Sequence, residues 1–269
     1  MTPSPRLHVL TATRSDHAVL LRRGPSDQVA CLHWDRGSGQ VRLGQWLQGR
    51  IHEHRCDISP DGRHFVYFAC RGGRCWTAVS RVPWLRAIAY WPQSSSWHGG
   101  GAFTDDGLLW LNGAQASSDF PDGLTAADLA AFPHSTDGFH MGDLVRSQMQ
   151  RRGWSHVAGE YYEAEMLMPL SELWNLRLIF EIGAKNRALI SNRYALVSVD
   201  KSKTIDLPGW QWADKFGPFV QWAENGALWQ AAIHDNGTLE DRSMLHDLTD
   251  MKFQPIKAPY PGISEREDK

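Results

Sequence analysis

The chain has 269 residues, 42% of them hydrophobic and 22% charged, with a formal net charge of -2. Those proportions are ordinary for a globular protein, and a near-neutral balance without a Lys/Arg run argues against a nucleic-acid surface. No apolar stretch approaches the roughly 18 residues of a membrane span, and the first residues, MTPSPRLHVLTATRSDH, lack the apolar core of a secretory signal.

The four cysteines, Cys31, Cys56, Cys70 and Cys75, contain no C-x-x-C pair and are sparse for a disulfide scaffold. They are expected to be reduced, mostly buried thiols of a cytoplasmic protein. Thirteen tryptophans is the unusual count. Many fall in or beside strand-like runs, and aromatics favour half-buried pleated surfaces.

Taken in chain order, the first half reads as strands and tight turns. Residues 17–23 (HAVLLRR), 28–35 (QVACLHWD) and 40–47 (QVRLGQWL) are short apolar-centred runs separated by Gly, Pro, Ser and Asp clusters. That is the strand and hairpin signature. Residues 55–58 then lead into Ser59-Pro60-Asp61-Gly62, answered by 63–70 (RHFVYFAC), a Gly72-Gly73 turn and 76–80 (WTAVS). The phrase returns at 101–103, Thr104-Asp105-Asp106-Gly107 and 108–112 (LLWLN). It returns again at 218–222, Ala223-Glu224-Asn225-Gly226 and 227–234 (ALWQAAIH), before a further turn at Asn236-Gly237-Thr238 and a run at 243–248. Asn-Gly and Asp-Gly supply the positive φ that a tight hairpin requires.

The middle departs from this grammar. Residues 124–132 (LTAADLAAF) end before Pro133 and predict a short helix with Thr125 as N-cap. Residues 134–152 show no clean period, and 170–174 could form another helical turn. Residues 176–182, 193–199 and 203–207 predict strands, and the polar stretch 259–269 predicts a flexible tail.

Residues 56–68, CDISPDGRHFVYF, resemble the strand–Ser-Pro-Asp-Gly–strand phrase of TolB-like β-propellers, and 103–111 and 220–229 look like degenerate copies. The phrases at Gly62 and Gly107 lie about one blade (roughly 40–50 residues) apart. The resemblance implies an all-β, propeller-like single domain over residues 1–258, with about five four-stranded blades and a helical insertion near 124–152. Such propellers serve as binding platforms, hydrolase lids and enzymes alike, so the resemblance is silent on activity.

Three candidate sites follow from the residues. In HEHRCD, an extended strand would put His52, His54 and Cys56 on one face, and all three are competent zinc ligands. Their spacing of ~6.5–7 Å along a strand is too wide for one ion with bonds of about 2.3 Å, so a metal is not expected. Glu160, Glu163 and Glu165 read as a solvated strand face rather than a catalytic pair. The Trp-rich stretch 84–101 (WLRAIAYWPQSSSWHGGG) offers Trp84, Trp91, Trp97 and His98 for binding, and 209–216 (GWQWADKF) offers Trp210 and Trp212.

No G-x-S-x-G, H-E-x-x-H, Walker loop or G-x-G-x-x-G occurs. The reading is a binding protein without cofactor, engaging a protein partner rather than nucleic acid or membrane, in the manner of an inhibitor or immunity-type protein. The alternative is a carbohydrate-binding protein or carbohydrate-active enzyme with a central pocket.

Overall fold

The computed structural model describes residues 4–24, 27–94, 98–113, 120–132, 141–160, 162–183 and 190–262. The chain forms two compact units. The first comprises residues 9–140 with 252–269, the second residues 1–8 with 141–251.

Four antiparallel sheets dominate, each a meander of neighbouring strands, which is the construction of propeller blades. The first runs β1 (Arg6–Thr11), β2 (His17–Arg23), β3 (Gln28–Asp35), β4 (Val41–Gln48). The central strands β2 and β3 are buried almost throughout, because both of their faces are covered. They therefore read in sequence as continuous apolar runs rather than alternating ones.

The second sheet holds β5 (Arg50–Ile51), β6 (Asp57–Ile58), β7 (His64–Arg71), β8 (Arg74–Arg81) and β9 (Ala89–Gln93). Both β5 and β6 pair with β7, so they are two pieces of one edge strand, interrupted by a 3-10 turn at Glu53–Arg55. A two-stranded hairpin follows, β10 (Gly101–Phe103) with β11 (Leu109–Leu111). Phe103, Leu109 and Leu111 join Val66 and Val79 of the second sheet in one apolar cluster.

In the second unit, helix α1 (Met141–Arg151) precedes a five-stranded meander. Its strands are β12 (Ser155–Glu160), β13 (Glu163–Pro169), β14 (Trp174–Ile182), β15 (Ile190–Ser198) and β16 (Thr204–Leu207). Here the burial alternates. Met166, Leu178 and Tyr194 sit opposite one another across β13, β14 and β15, as do Met168, Leu176 and Leu196, and all six are buried. Full burial of such a side chain is worth about 1.5–3 kcal/mol relative to exposure. The last sheet is β17 (Trp210–Phe216), β18 (Phe219–Glu224), β19 (Ala227–Ile233), β20 (Leu239–Asp247). Between β18 and β19, Asn225 and Gly226 take φ values of 51° and 80°, the two-residue turn that their sequence dictates.

The strands at 17–23 and 28–35 fall where the sequence puts them, and the chain is mostly β as expected. Four expectations need correction. Blade-type sheets number four among the described residues, not five, because the phrase around Gly107 closes only the β10–β11 hairpin. Residues 124–132 form no α-helix; the one turn there is the 3-10 segment Leu129–Ala131, where Asp128 rather than Thr125 accepts from Ala130 N–H at 2.7 Å. The α-helix lies at Met141–Arg151, within the insertion expected near 124–152 but past the run read as helical, and its mixed face buries Gly142, Asp143 and Gln148 beside Met141, Leu144 and Val145. Residues 170–174 are a turn into β14, with Leu170 N–H and Ser171 N–H both bonded to Trp174 O.

The fourth correction concerns the thiols. Cys70 and Cys75 are a facing pair across the β7–β8 hairpin and form a disulfide. The Gly72-Gly73 turn between them sets that register. Cys31 and Cys56 are buried thiols outside any disulfide, as expected. Of the expected tail, Tyr260 is buried, whereas residues 263–269 lie outside those described. Among the described residues no helix is long and apolar enough to cross a membrane.

Candidate functional site

The turn at residues 59–62 is built from its own side chains. Ser59 Oγ donates to Asp61 Oδ1 at 2.6 Å and accepts from Arg63 N–H and His64 N–H at 3.1 and 2.9 Å. Gly62 N–H closes the turn on Ser59 O at 2.8 Å. Gly62 has φ of +78°, and a Cβ there would lie 2.5 Å from His17 Cβ, so only glycine lets the two sheets approach this closely. Pro60 O accepts from Arg14 N–H in the β1–β2 connection at 2.9 Å, joining the loops of the first two sheets.

A cavity of about 710 Å³ opens beside this junction, lined by His17, His33 and Arg42 of the first sheet and by Asp61, Arg63, His64 and Arg81 of the second, with Asp122. Strand register explains the assembly. His33 stands opposite Arg42 across β3–β4, and His64 stands opposite Arg81 across β7–β8. Each sheet thus brings one His–Arg cross-strand pair to the cavity. His17 lies diagonal to His33, with His17 Nδ1 and His33 Nε2 3.1 Å apart.

The two carboxylates are already engaged. Asp122, at φ 61° in the turn Pro121–Gly123, receives Arg81 in a two-point fork, Nε to Oδ2 at 2.5 Å and Nη2 to Oδ1 at 2.7 Å. His64 Nε2 lies 3.7 Å from the same Oδ2. Asp61 pairs with Arg63 Nε at 2.8 Å. Arg81 is also held from below: its guanidinium sits 4.9 Å over the Tyr260 ring, and the Arg81 backbone N–H donates to Tyr260 Oη at 3.2 Å.

These surroundings tune the groups. Burial lowers His33, and the charges of His17 and Arg42 add to it against the opposing pull of Asp35. Burial also lowers His64, more than Asp61 and Asp122 can raise it. For Asp61, burial acts upward, but the Ser59 hydroxyl, Arg63 N–H and the Arg63 charge bring the carboxyl below its ordinary value.

Among the described residues, none of those nominated from the sequence lines this cavity. Trp84 is half-buried against the cluster of Val66, Val79 and Ile88. Trp91 is half-buried with its ring 5.7 Å from Phe120. Trp97 lies outside the described residues. His98 is half-buried, and its carbonyl accepts from Arg55 Nη1 at 3.4 Å. Trp210 and Trp212 are only 7% and 8% exposed, within the core of the second unit. Glu160 and Glu163 are exposed and pair across β12–β13.

His52, His54 and Cys56 do not share the extended strand expected for them, because the 3-10 turn intervenes. Cys56 is buried, and its Sγ–H donates to His52 O at 3.2 Å. Burial, with Arg50 and Arg55 nearby, lowers His52 to about 4. Among the described residues no three His, Cys, Asp or Glu side chains gather closely enough to hold a metal ion.

The cavity residues escaped the sequence reading because His17, His33 and Arg42 carry no motif. A signal was present: the strands β2 and β7 both open on a histidine, and His64 stands two residues after the Ser-Pro-Asp-Gly phrase.

No family model and no curated protein matches the chain. Among solved structures it is similar to an uncharacterised protein from Listeria monocytogenes EGD-e, at 12% identity and TM-score 0.32, over 96% of this chain and 87% of that one. It is also similar to the β-propeller domain of the Trilobed protease from Pyrococcus furiosus, at 10% identity and TM-score 0.30, over 93% and 98% of the two chains. An acylaminoacyl peptidase in complex with Z-Gly-Gly-Phe-chloromethyl ketone matches at 9% identity and TM-score 0.33, over 92% of this chain and 53% of that one, so this chain spans about half of it. Likenesses this distant carry no argument about activity, and the blade-type sheets rest on their own strand order and register.

Proposed function

We propose that the chain is a binding module built from TolB-like blades, and that its cavity seats an acidic group of a protein partner. One observation carries this reading: two His–Arg cross-strand pairs, one from each sheet, converge on the same cavity. Like charges directly opposite each other destabilise a sheet once the histidines are protonated. Asp122 relieves that repulsion at His64 and Arg81, and an anionic ligand would relieve it at His33 and Arg42. Binding is favoured over catalysis because Asp61 and Asp122, the carboxylates of the lining, are committed to arginines and poorly placed to act as bases. The carbohydrate alternative draws little support from Trp210 and Trp212, which are buried.

The test is fluorescence anisotropy with a labelled glutamate-rich peptide. Saturable binding is expected, weakened by added salt and by at least about tenfold in Arg42→Glu. Equal binding of an uncharged peptide, or indifference to the charge reversal, would sink the reading.

A further inference from the structure

We infer that the ligand group is a tetrahedral phosphoryl dianion carried on a partner side chain, and that His33, 3.1 Å from His17, takes up a proton as it binds. This rests on the acidic-group reading above and narrows it.

Geometry gives the first argument. A planar carboxylate is satisfied by one guanidinium fork, and the fork of Arg81 is occupied by Asp122. Donors arrive instead from two sheets, Arg42 and His33 on one and His64 on the other. A phosphoryl group has three oxygens pointing in different directions and a charge of about -1.5 to -2, which matches donors drawn from two sheets.

Charge gives the second. The lining holds the guanidiniums of Arg42, Arg63 and Arg81 against the carboxylates of Asp61 and Asp122. With neutral histidines a single positive charge remains, and one added proton brings the excess to two. The His17–His33 contact accommodates that proton, since a neutral imidazole and an imidazolium can share an N–H···N bond as readily as two neutral rings.

The groups facing the pair are Asp35 opposite His17, Arg42 opposite His33, and the turn carrying Asp61, Gly62 and Arg63, followed by His64. Asp35 is occupied by its own turn, accepting from Gly37 N–H and Ser38 N–H at 3.0 and 3.2 Å. Burial, with the charges of His17 and Arg42, disfavours a proton on His33 in the empty site, and an anion beside it would favour one.

Calorimetric titration of the full chain tests this. The probes are a phosphoserine peptide, the same peptide with glutamate replacing phosphoserine, and inorganic phosphate. Each is run at about pH 7.5, where the phosphoryl group is largely dianionic, in two buffers of different ionisation enthalpy. The phosphoserine peptide should bind at least about tenfold more tightly than the glutamate peptide and take up about one proton. His33→Gln should abolish that uptake without lowering the melting temperature of the empty protein.

Binding of inorganic phosphate with proton uptake, but not of the phosphopeptide, would support the phosphoryl site and overturn the side-chain carrier. Equal affinity for both peptides without proton uptake would overturn the phosphoryl assignment and leave the acidic-group reading standing. A folded protein that binds none of the three overturns both.

Discussion

The indole of Trp210 lies flat on that of Trp222, with ring centroids 4.5 Å apart and planes 8° from parallel. Trp229 continues the ladder 6.4 Å beyond Trp222, and the Arg242 guanidinium covers it at 4.3 Å while pairing with Glu224 at 2.8 Å. Register places the three rings on adjacent strands, Trp210 opposite Glu224 and Trp222 opposite Trp229. Trp222 is fully buried at the centre. Trp222→Ala should therefore cost about 3–5 kcal/mol, the usual penalty for emptying a large aromatic site. Urea unfolding checks this; a loss below about 1 kcal/mol would show that the stack closes over the gap.

Gly62 and Gly72 separate two kinds of glycine. Both have positive φ, but a Cβ at Gly62 meets His17, whereas at Gly72 it meets open space. Gly72→Ala should cost only the backbone penalty of about 1–2 kcal/mol. Gly62→Ala should cost more and displace His17 from His33, seen as a change in the histidine ring resonances. Equal melting temperatures for the two variants would contradict the close approach.

Acid should weaken the first unit. Burial holds His33, His52, His54 and His64 below their ordinary value of 6.5, His52 at about 4. The unfolded chain binds these protons near pH 6.5, and the folded chain does not until lower pH. Stability is therefore full above pH 6.5 and falls as pH drops toward about 4. Urea midpoints measured across that window should decline, and His52→Gln should flatten the decline. A midpoint that rises on acidification would refute this.

The Cys70–Cys75 bridge closes a short loop. In the chain-entropy picture a loop of this size contributes about 2 kcal/mol. Cys70→Ser with Cys75→Ser should lower the melting temperature, and a thiol reductant should do the same to the natural protein but not to the variant. A reductant effect on the variant would place the sensitivity elsewhere.

The fold was legible where local chemistry decides it. β2 and β3 are apolar runs between turn clusters, and Asn225-Gly226 names its own hairpin. The helix at Met141–Arg151 was not legible, because its buried face includes Asp143 and Gln148 and so breaks the apolar period. The cavity was less legible still. His33 meets Arg42 only through strand register, and His17 meets Gly62 only through the approach of two sheets. Trp210 and Trp212 show a different limit: aromatic residues mark packing as readily as recognition, and both are buried.

The division of the chain has a consequence for how it folds. Residues 1–8 belong with 141–251, and 252–269 belong with 9–140, so the backbone passes between the units three times. Each unit is completed by a segment from the far end of the other. A fragment ending at residue 140 would lack Tyr260 beneath Arg81, and Ile256, whose carbonyl accepts from Gln45 Nε2 at 2.8 Å. Neither half is therefore a natural expression unit. Contacts this distant in sequence form late and slowly, so during synthesis the arginine fork on Asp122 gains its aromatic support only after residue 260 has emerged.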